Sequence, residues 1–415
     1  MQIKAKQTQA SFRLLAAVLL LVCLTGCWDR QEIEERAVVL GIGVDEAEEG
    51  AEEHEDQVSH LRGKMPGKTQ GMLRITVQIA VPGRIPLGPG GSGGGGSGGG
   101  GGGISTVWVV SSVGHTLDDA INSLQQRVAP PLFFGHLRII VISETVARIG
   151  LENLNDFLRR NPEIRRMNWM FISKGKAMDI MKASPQLERV PTLYLMTTMD
   201  QSVKMGRFPN DFLGIFWSSS SAKGKEGYLP YAEVREGDNI GISGLAYFRG
   251  NKMVGRTNPQ AIVLYMGITG MNPTGGQTYV SVPGTNEFVE YSGRSRKVLT
   301  RVDIVDDKPR IQLKIYLEGN IREKSREQIT LSHDIIQSVE KEMESQAEKA
   351  YKNLIEKTQK DGADIFGFGE HVRAKKWRYW NKNIQTKENW QRMYAEIQVD
   401  VSVHVQIRRV GMKAT

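Results

Sequence analysis

LRIIVISETVARIGLENLNDFLRRNPEIRRMNWMFIS, residues 137–173, holds two short apolar runs separated by a charged, periodic stretch. Leu137 to Ile142 reads as a central strand, because a continuous apolar run of that length leaves no polar face for water. Asn168 to Ser173 reads as a second strand. Between them, Leu151 to Arg160 predicts a helix that must stop before Asn161-Pro162, since proline lacks the N–H a helix needs and restricts the residue before it. Strand, helix and strand in close succession predict a mixed α and β layer rather than a bundle or a sandwich.

The same rhythm extends toward the N-terminus. Ala37 to Val44, AVVLGIGV, reads as a buried strand, Met72 to Val81 alternates as a strand does, and Ser105 to Val113 resumes strand character. Thr116, followed by Asp118 and Asp119, opens a helix whose apolar face is Leu117, Ala120, Ile121, Leu124 and Val128. Two segments interrupt this pattern. Asp45 to Asp56 carries eight acids and no Lys or Arg, which predicts a surface loop over residues 45–70. Residues 83–103 are a glycine-rich insertion, expected to act as a flexible coil. Its G-x-S-x-G matches at Ser92 and Ser97 lack the strand, sharp turn and helix that a nucleophile elbow requires.

Toward the C-terminus, residues 192–217 read as helical and Ser218 to Gly227 as a loop. Strands follow at Tyr228 to Val234, Ile242 to Phe248 and Lys252 to Val254, the last two joined by a tight turn at Arg249-Gly250-Asn251-Lys252. Lys297 to Val305 and Arg310 to Leu317 flank a second turn. Ile335, Val339, Met343, Ala347, Tyr351 and Leu354 form one stripe of a long helix from Ser332 to Gln359, and Met393 to Ile407 alternates as a long amphipathic strand. The expectation is an α+β protein of three domains, with helices flanking β-sheets and a long C-terminal helix followed by a long strand. The divisions are residues 27–200 (α/β), 201–300 (β-rich) and 301–415 (α+β), after a leader of residues 1–26.

That leader has a positive start, with Lys4, Lys6 and Arg13, and an apolar run from Leu14 to Leu24. At about 1.5 Å per residue the run reaches ~16 Å, half of a ~30 Å hydrocarbon core, so an export signal fits better than a spanning helix. Leu24-Thr25-Gly26-Cys27 matches a bacterial lipobox. The match places cleavage between Gly26 and Cys27 and a diacylglyceryl group on the Cys27 thiol, leaving Trp28 at headgroup depth. Each buried CH₂ contributes ~0.8 kcal/mol, and two acyl chains hold a soluble domain firmly.

The residues offer little assembled chemistry. The net charge of +8 falls to +5 without the leader, too weak and dispersed to indicate nucleic acid. Cys23 and Cys27 are the two cysteines; the leader removes one and acylation occupies the other, which excludes a thiol nucleophile and an internal disulfide. No histidine pair has H-E-x-x-H spacing, and neither Gly41-Ile42-Gly43 nor Asp364-Ile365-Phe366-Gly367-Phe368-Gly369 completes a phosphate-binding motif. The latter reads as a packed loop. His136, at the start of an apolar strand, reads as structural rather than as a base. Arg373 to Arg392, RAKKWRYWNKNIQTKENWQR, interleaves seven basic residues with Trp377, Tyr379, Trp380 and Trp390. In an exported chain this suits anionic headgroups or an acidic partner, or else core tryptophans ringed by lysines whose charged ends reach water. No catalytic residue, metal ligand or cofactor site is assigned.

Four blocks carry a resemblance: LTGCWDRQEIEERAVVLGIGVD, PPLFFGHLRIIVISETVARIGLENLNDFLRRNPEIRR, GISGLAYFRGNKMVG and DIFGFGEHVRAKKW. Together they resemble the Ger(x)C family, the lipoprotein C subunits of nutrient germinant receptors in endospore-forming bacteria. The resemblance implies a three-domain α+β chain tethered through Cys27 to the outer face of the inner spore membrane. There it would assemble with an A subunit and a membrane-spanning B subunit, without enzymatic activity of its own. A free-standing solute-binding lipoprotein and a lipid-anchored cortex hydrolase are the alternatives. The acidic Asp45 to Asp56 loop and the glycine-rich insertion depart from the family pattern.

Overall fold

Two β-sheets organise the chain in the computed structural model, which describes residues 32–51, 71–81, 106–183, 185, 188, 190–236, 239–271, 276–327 and 329–409. The larger sheet contains β1 (Ala37–Glu46), β2 (Leu73–Ala80), β3 (Val107–Gly114), β4 (Leu132–Phe133), β5 (Ile139–Ser143), β6 (Trp169–Ser173), β7 (Tyr228–Arg235), β8 (Asn239–Arg249) and β9 (Lys252–Arg256). Its order is β3-β2-β1-β5-β6-β7-β8-β9, with short β4 beside the start of β1. Pairing is parallel through β1, β5, β6 and β7 and antiparallel at both flanks.

Burial on both faces explains the apolar runs. In β5 and β6, Ile139, Val141, Trp169 and Phe171 face one core, and Ile140, Ile142, Met170 and Ile172 face the other. The second core is closed by α1 (Leu117–Gln125), α2 (Glu144–Ile149), α3 (Glu152–Arg160) and, beyond β6, α6 (Leu213–Ser221). The first is closed by α4 (Ala177–Lys182), α5 (Pro191–Lys204) and α7 (Gln260–Ile268). Thr116 caps α1 by accepting from the Asp119 N–H at 3.1 Å, as its sequence implies. Gly41 and Gly43 lie where α4 and α5 press on β1; a Cβ at Gly41 would fall 2.2 Å from Thr192.

The smaller sheet, β10 (Gln277–Ser281), β11 (Phe288–Val305), β12 (Lys308–Lys324) and β13 (Gln398–Arg409), has the order β10-β11-β12-β13. β11 and β12 form a long hairpin whose turn residues Asp306 and Asp307 take φ of 48° and 57°, the left-handed pair that a two-residue turn needs. The long helix α8 (His333–Lys360) crosses from β12 to the parallel strand β13. Ser332 caps it, and Val339, Met343, Tyr351 and Leu354 bury the expected stripe. Its glutamates also protect a sheet edge. Glu340, Glu344 and Glu348 accept from the Ile407, Val405 and Val403 N–H groups at 2.7, 2.9 and 3.0 Å. A helix row of period four thus satisfies every second donor of an edge strand that would otherwise invite another chain.

The structure differs from three local expectations. Asp45 and Glu46 extend β1 rather than opening a loop. The Asp45 carboxylate is buried, and it takes the Ala177 and Met178 N–H groups at 2.6 and 2.9 Å, capping α4 from a neighbouring strand. Residues 192–217 form two helices, broken at 205–212. The terminal alternation becomes strand only at Gln398, because Lys387–Tyr394 is helical. β7, β8 and β9 complete the larger sheet, and β10 begins the smaller one. Pairing with β6 joins the strands after residue 227 to the first layer. Residues 52–70, the insertion 83–103 and the leader lie outside the described residues.

Candidate functional site: the clamp beneath the basic and aromatic segment

Residues 361–394 bind the smaller sheet's helix to the loops of the larger sheet. Asp364 is the centre. Its buried carboxylate accepts from the Gly367 N–H at 2.9 Å, the Gly369 N–H at 2.8 Å and Trp390 Nε1 at 3.0 Å. The glycine-rich loop is therefore a cradle filled by its own side chain. Burial pushes the Asp364 carboxyl up, to about 6, against hydrogen bonds from the Gly369, Phe368 and Gly367 backbone and the Trp390 side chain that pull it down. Gly367 has φ +80°, and Gly369 lies against Gly224 so closely that a Cβ on Gly224 would meet the Gly369 carbonyl carbon at 2.3 Å.

Around this centre the contacts cross between the two halves of the chain. Gly224 donates its N–H to Glu370 at 2.8 Å and the Glu226 N–H donates to the Asp364 carbonyl at 2.8 Å. The buried Glu226 carboxylate meets Lys387 at 2.9 Å, Gln391 Nε2 at 2.6 Å and the Gly250 N–H at 2.9 Å. Lys387 also donates to the Ser220 carbonyl at 2.7 Å, and Tyr247 donates to Asp361 at 2.5 Å. A buried ion pair of this kind contributes little net energy over an apolar substitute, but losing one partner strands the other.

The basic and aromatic segment divides into two parts. Trp380 and Trp390 are buried and pack at 5.8 Å between centroids, and Lys387 belongs to the clamp. Trp377 is 58% exposed, with Arg378 over its ring at 5.3 Å and exposed Arg373, Lys375 and Lys382 on the same segment. Core tryptophans and a surface patch are both present, at adjacent turns. The π-helical turn Trp380–Ile384 carries both buried Trp380 and exposed Lys382, and it ends at Gln385 with φ 64°.

Cys27 and Gly26, the expected lipidation and cleavage residues, lie outside the described residues. His136, read as structural rather than as a base, is exposed and packs on Phe133 at 5.7 Å between ring centroids. Among the described residues no group of three or more His, Cys, Asp or Glu could hold a metal ion, and no helix is long and apolar enough to cross a membrane. Sequence reading missed Glu226, Lys387 and Gln391, whose partners lie far away in the chain. The spacing of Asp364, Gly367 and Gly369 was the one local sign of the clamp.

A two-sheet α+β chain with a long helix and strand at its end can be set beside known proteins. The family model for the spore germination protein N-terminal domain matches residues 29–234, and that for the spore germination B3/GerAC-like C-terminal region matches residues 243–411. The chain belongs to this family, as the Ger(x)C resemblance implied. The two matched regions meet at the β7–β8 hairpin, inside one sheet. The chain is 24% identical to spore germination protein KC of Bacillus subtilis (strain 168), with 96% of each chain covered. It is 22% identical to spore germination protein B3 of the same organism, covering 98% of this chain and 99% of that one. Among solved structures it resembles that of the GerBC protein, with 16% identity and a TM-score of 0.54 over 81% of this chain and 94% of that one, which shows a shared fold.

Proposed function

We propose that this chain is the lipid-anchored, non-catalytic C subunit of a nutrient germinant receptor. In this reading it is held by diacylglyceryl Cys27 on the outer face of the inner spore membrane, in complex with A and B subunits. The observation that carries the reading is the family match, which runs in order from residue 29 to residue 411 and begins two residues after the lipobox cysteine. The first described residue, 32, lies five positions beyond Cys27, so a chain anchored there would be held close to the headgroups. The exposed Trp377 patch, rich in Arg and Lys, has the chemistry for an anionic lipid surface or an acidic neighbouring subunit. Buried Asp364 is saturated by three donors, which suits a structural role rather than proton transfer.

Spores carrying Cys27→Ala in place of the wild-type chain test the reading. The expected outcome is an unlipidated chain, absent from the membrane fraction, and nutrient-triggered germination slowed several-fold. Normal germination with the chain free of the membrane would contradict it.

A further inference from the structure

A second site lies between the sheets, away from the clamp. A cavity of about 540 Å³ opens among α7, strands β10 to β12 and the long helix α8. Its apolar wall is formed by Val263, Leu264, Leu317, Met343 and Ala347. The volume is that of a small-molecule site, for which a few hundred Å³ is usual.

Two buried polar atoms in this wall have no partner among the described residues. Tyr291 is buried, yet its hydroxyl has no hydrogen-bond partner among the described residues. Arg296 is half-buried; its Nε has no partner among the described residues, and Nη1 reaches the Met271 carbonyl at 3.5 Å, the limit of a hydrogen bond. The groups in electrostatic range of its guanidinium are the Tyr351 and Tyr291 hydroxyls, and burial pulls its pKa below the ordinary arginine value. An unpaired, desolvated cation costs free energy that a native fold normally offsets with a counter-charge.

The backbone is shaped to hold the arginine there. A register shift between Gly293 and Ser295 breaks the alternation of β11, so that the adjacent residues Ser295 and Arg296 both reach the cavity. Gly319 clears space for Tyr291, since a Cβ there would lie 2.3 Å from its ring. Gln260, at the N-terminal end of the nine-residue α7, also lines the cavity, adding the positive end of a helix dipole.

We propose that this cavity binds a small organic monocarboxylate with an apolar body, its carboxylate on Arg296 and Tyr291 and its body against α7 and α8. One guanidinium and a hydroxyl match a single negative charge with two acceptor oxygens, whereas a phosphate dianion calls for more positive charge. The apolar wall favours a hydrocarbon portion over a sugar. The assignment does not depend on the receptor reading, because it concerns a cavity within this chain.

The test is thermal shift of the full-length chain in detergent with hexanoate, phenylacetate and 4-methylpentanoate, each beside its neutral amide. Inorganic phosphate and a glutamate-rich peptide form two further arms. The expected result is a saturable rise in Tm with at least one carboxylate and none with its amide. Arg296→Gln should weaken binding about tenfold or more, as loss of a charge-assisted hydrogen bond implies. In the wild-type chain, the carboxylate should protect Arg296 from phenylglyoxal, read by mass spectrometry. If Arg296→Gln does not fold, Ala350→Phe fills the cavity from α8 and should remove the shift. Equal shifts by acid and amide, shifts that survive both variants, a response to phosphate or the peptide alone, or no response to any carboxylate would each overturn the proposal.

Discussion

The two sheets solve the same problem with different resources. Strands β5 and β6 are buried at every position, covered by helices on both faces, whereas β12 alternates between a face under α8 and a face turned outward. On that outer side Tyr316 is 38% exposed and stacks on His404 at 5.2 Å. The larger sheet therefore rests on apolar burial, at about 1.5–3 kcal/mol per large side chain. The smaller one depends more on its hairpin, its parallel crossover and the glutamate row along β13. Stability should accordingly respond very differently to substitutions in the two.

The largest expected effect is Phe171→Ala, which opens a cavity in the centre of the larger sheet and should cost about 3–5 kcal/mol. Tyr316→Ala on the outer face of the smaller sheet should cost under about 1 kcal/mol, both read by chemical denaturation. Equal losses would erase the distinction. Lys387→Met leaves the buried Glu226 carboxylate without its cation and should cost about 3 kcal/mol. Because the clamp joins the halves, we expect this variant to unfold in two steps, followed by tryptophan fluorescence and far-UV circular dichroism together.

Replacing Glu340, Glu344 and Glu348 together with Ala frees three donors on β13. Each hydrogen bond is partly solvated, so the loss should be about 2 kcal/mol in all, with concentration-dependent association measured by light scattering. A monomeric triple variant of wild-type stability would show that the edge needs no cover. Asp364 gives a smaller, pH-dependent effect. Its folded value near 6 exceeds the ordinary 3.8, so protonation favours the folded chain: the contribution is fully present below about pH 4 and is lost as pH rises through 6. The stability gap between wild type and Asp364→Asn should narrow from pH 4 to pH 7, and a constant gap would contradict the shift. Trp377→Ala should change stability by less than about 0.5 kcal/mol, since the side chain is exposed, while weakening association with anionic vesicles.

The contrast between the sheets also explains what could be read in advance. The alternation that runs into Ile407, the period 3.6 from Ile335 to Leu354 and the helix start at Thr116 are local signals written within a few residues, and they survive in the fold. Tertiary choices are not local. Asp45 looks like the first residue of an acidic loop, and only the arrival of α4 makes it a cap. That β7 to β9 join the first sheet depends on the pairing of Ile172 with Tyr231, which no composition change marks. The clamp shows the same limit, since Glu226 and Lys387 carry no sign in their neighbours that they meet. Trp380 and Trp390 could not be separated from Trp377 by residue type, because one turn of helix decides which ring is buried.

The central claim, that this chain is a tethered subunit working by contact, is tested most directly by crosslinking it in native spore membranes and identifying what it captures. The account predicts a membrane-spanning partner, joined to this chain in wild-type spores and lost with Cys27→Ala. Recovery of the lipidated chain with no membrane-spanning partner would contradict it.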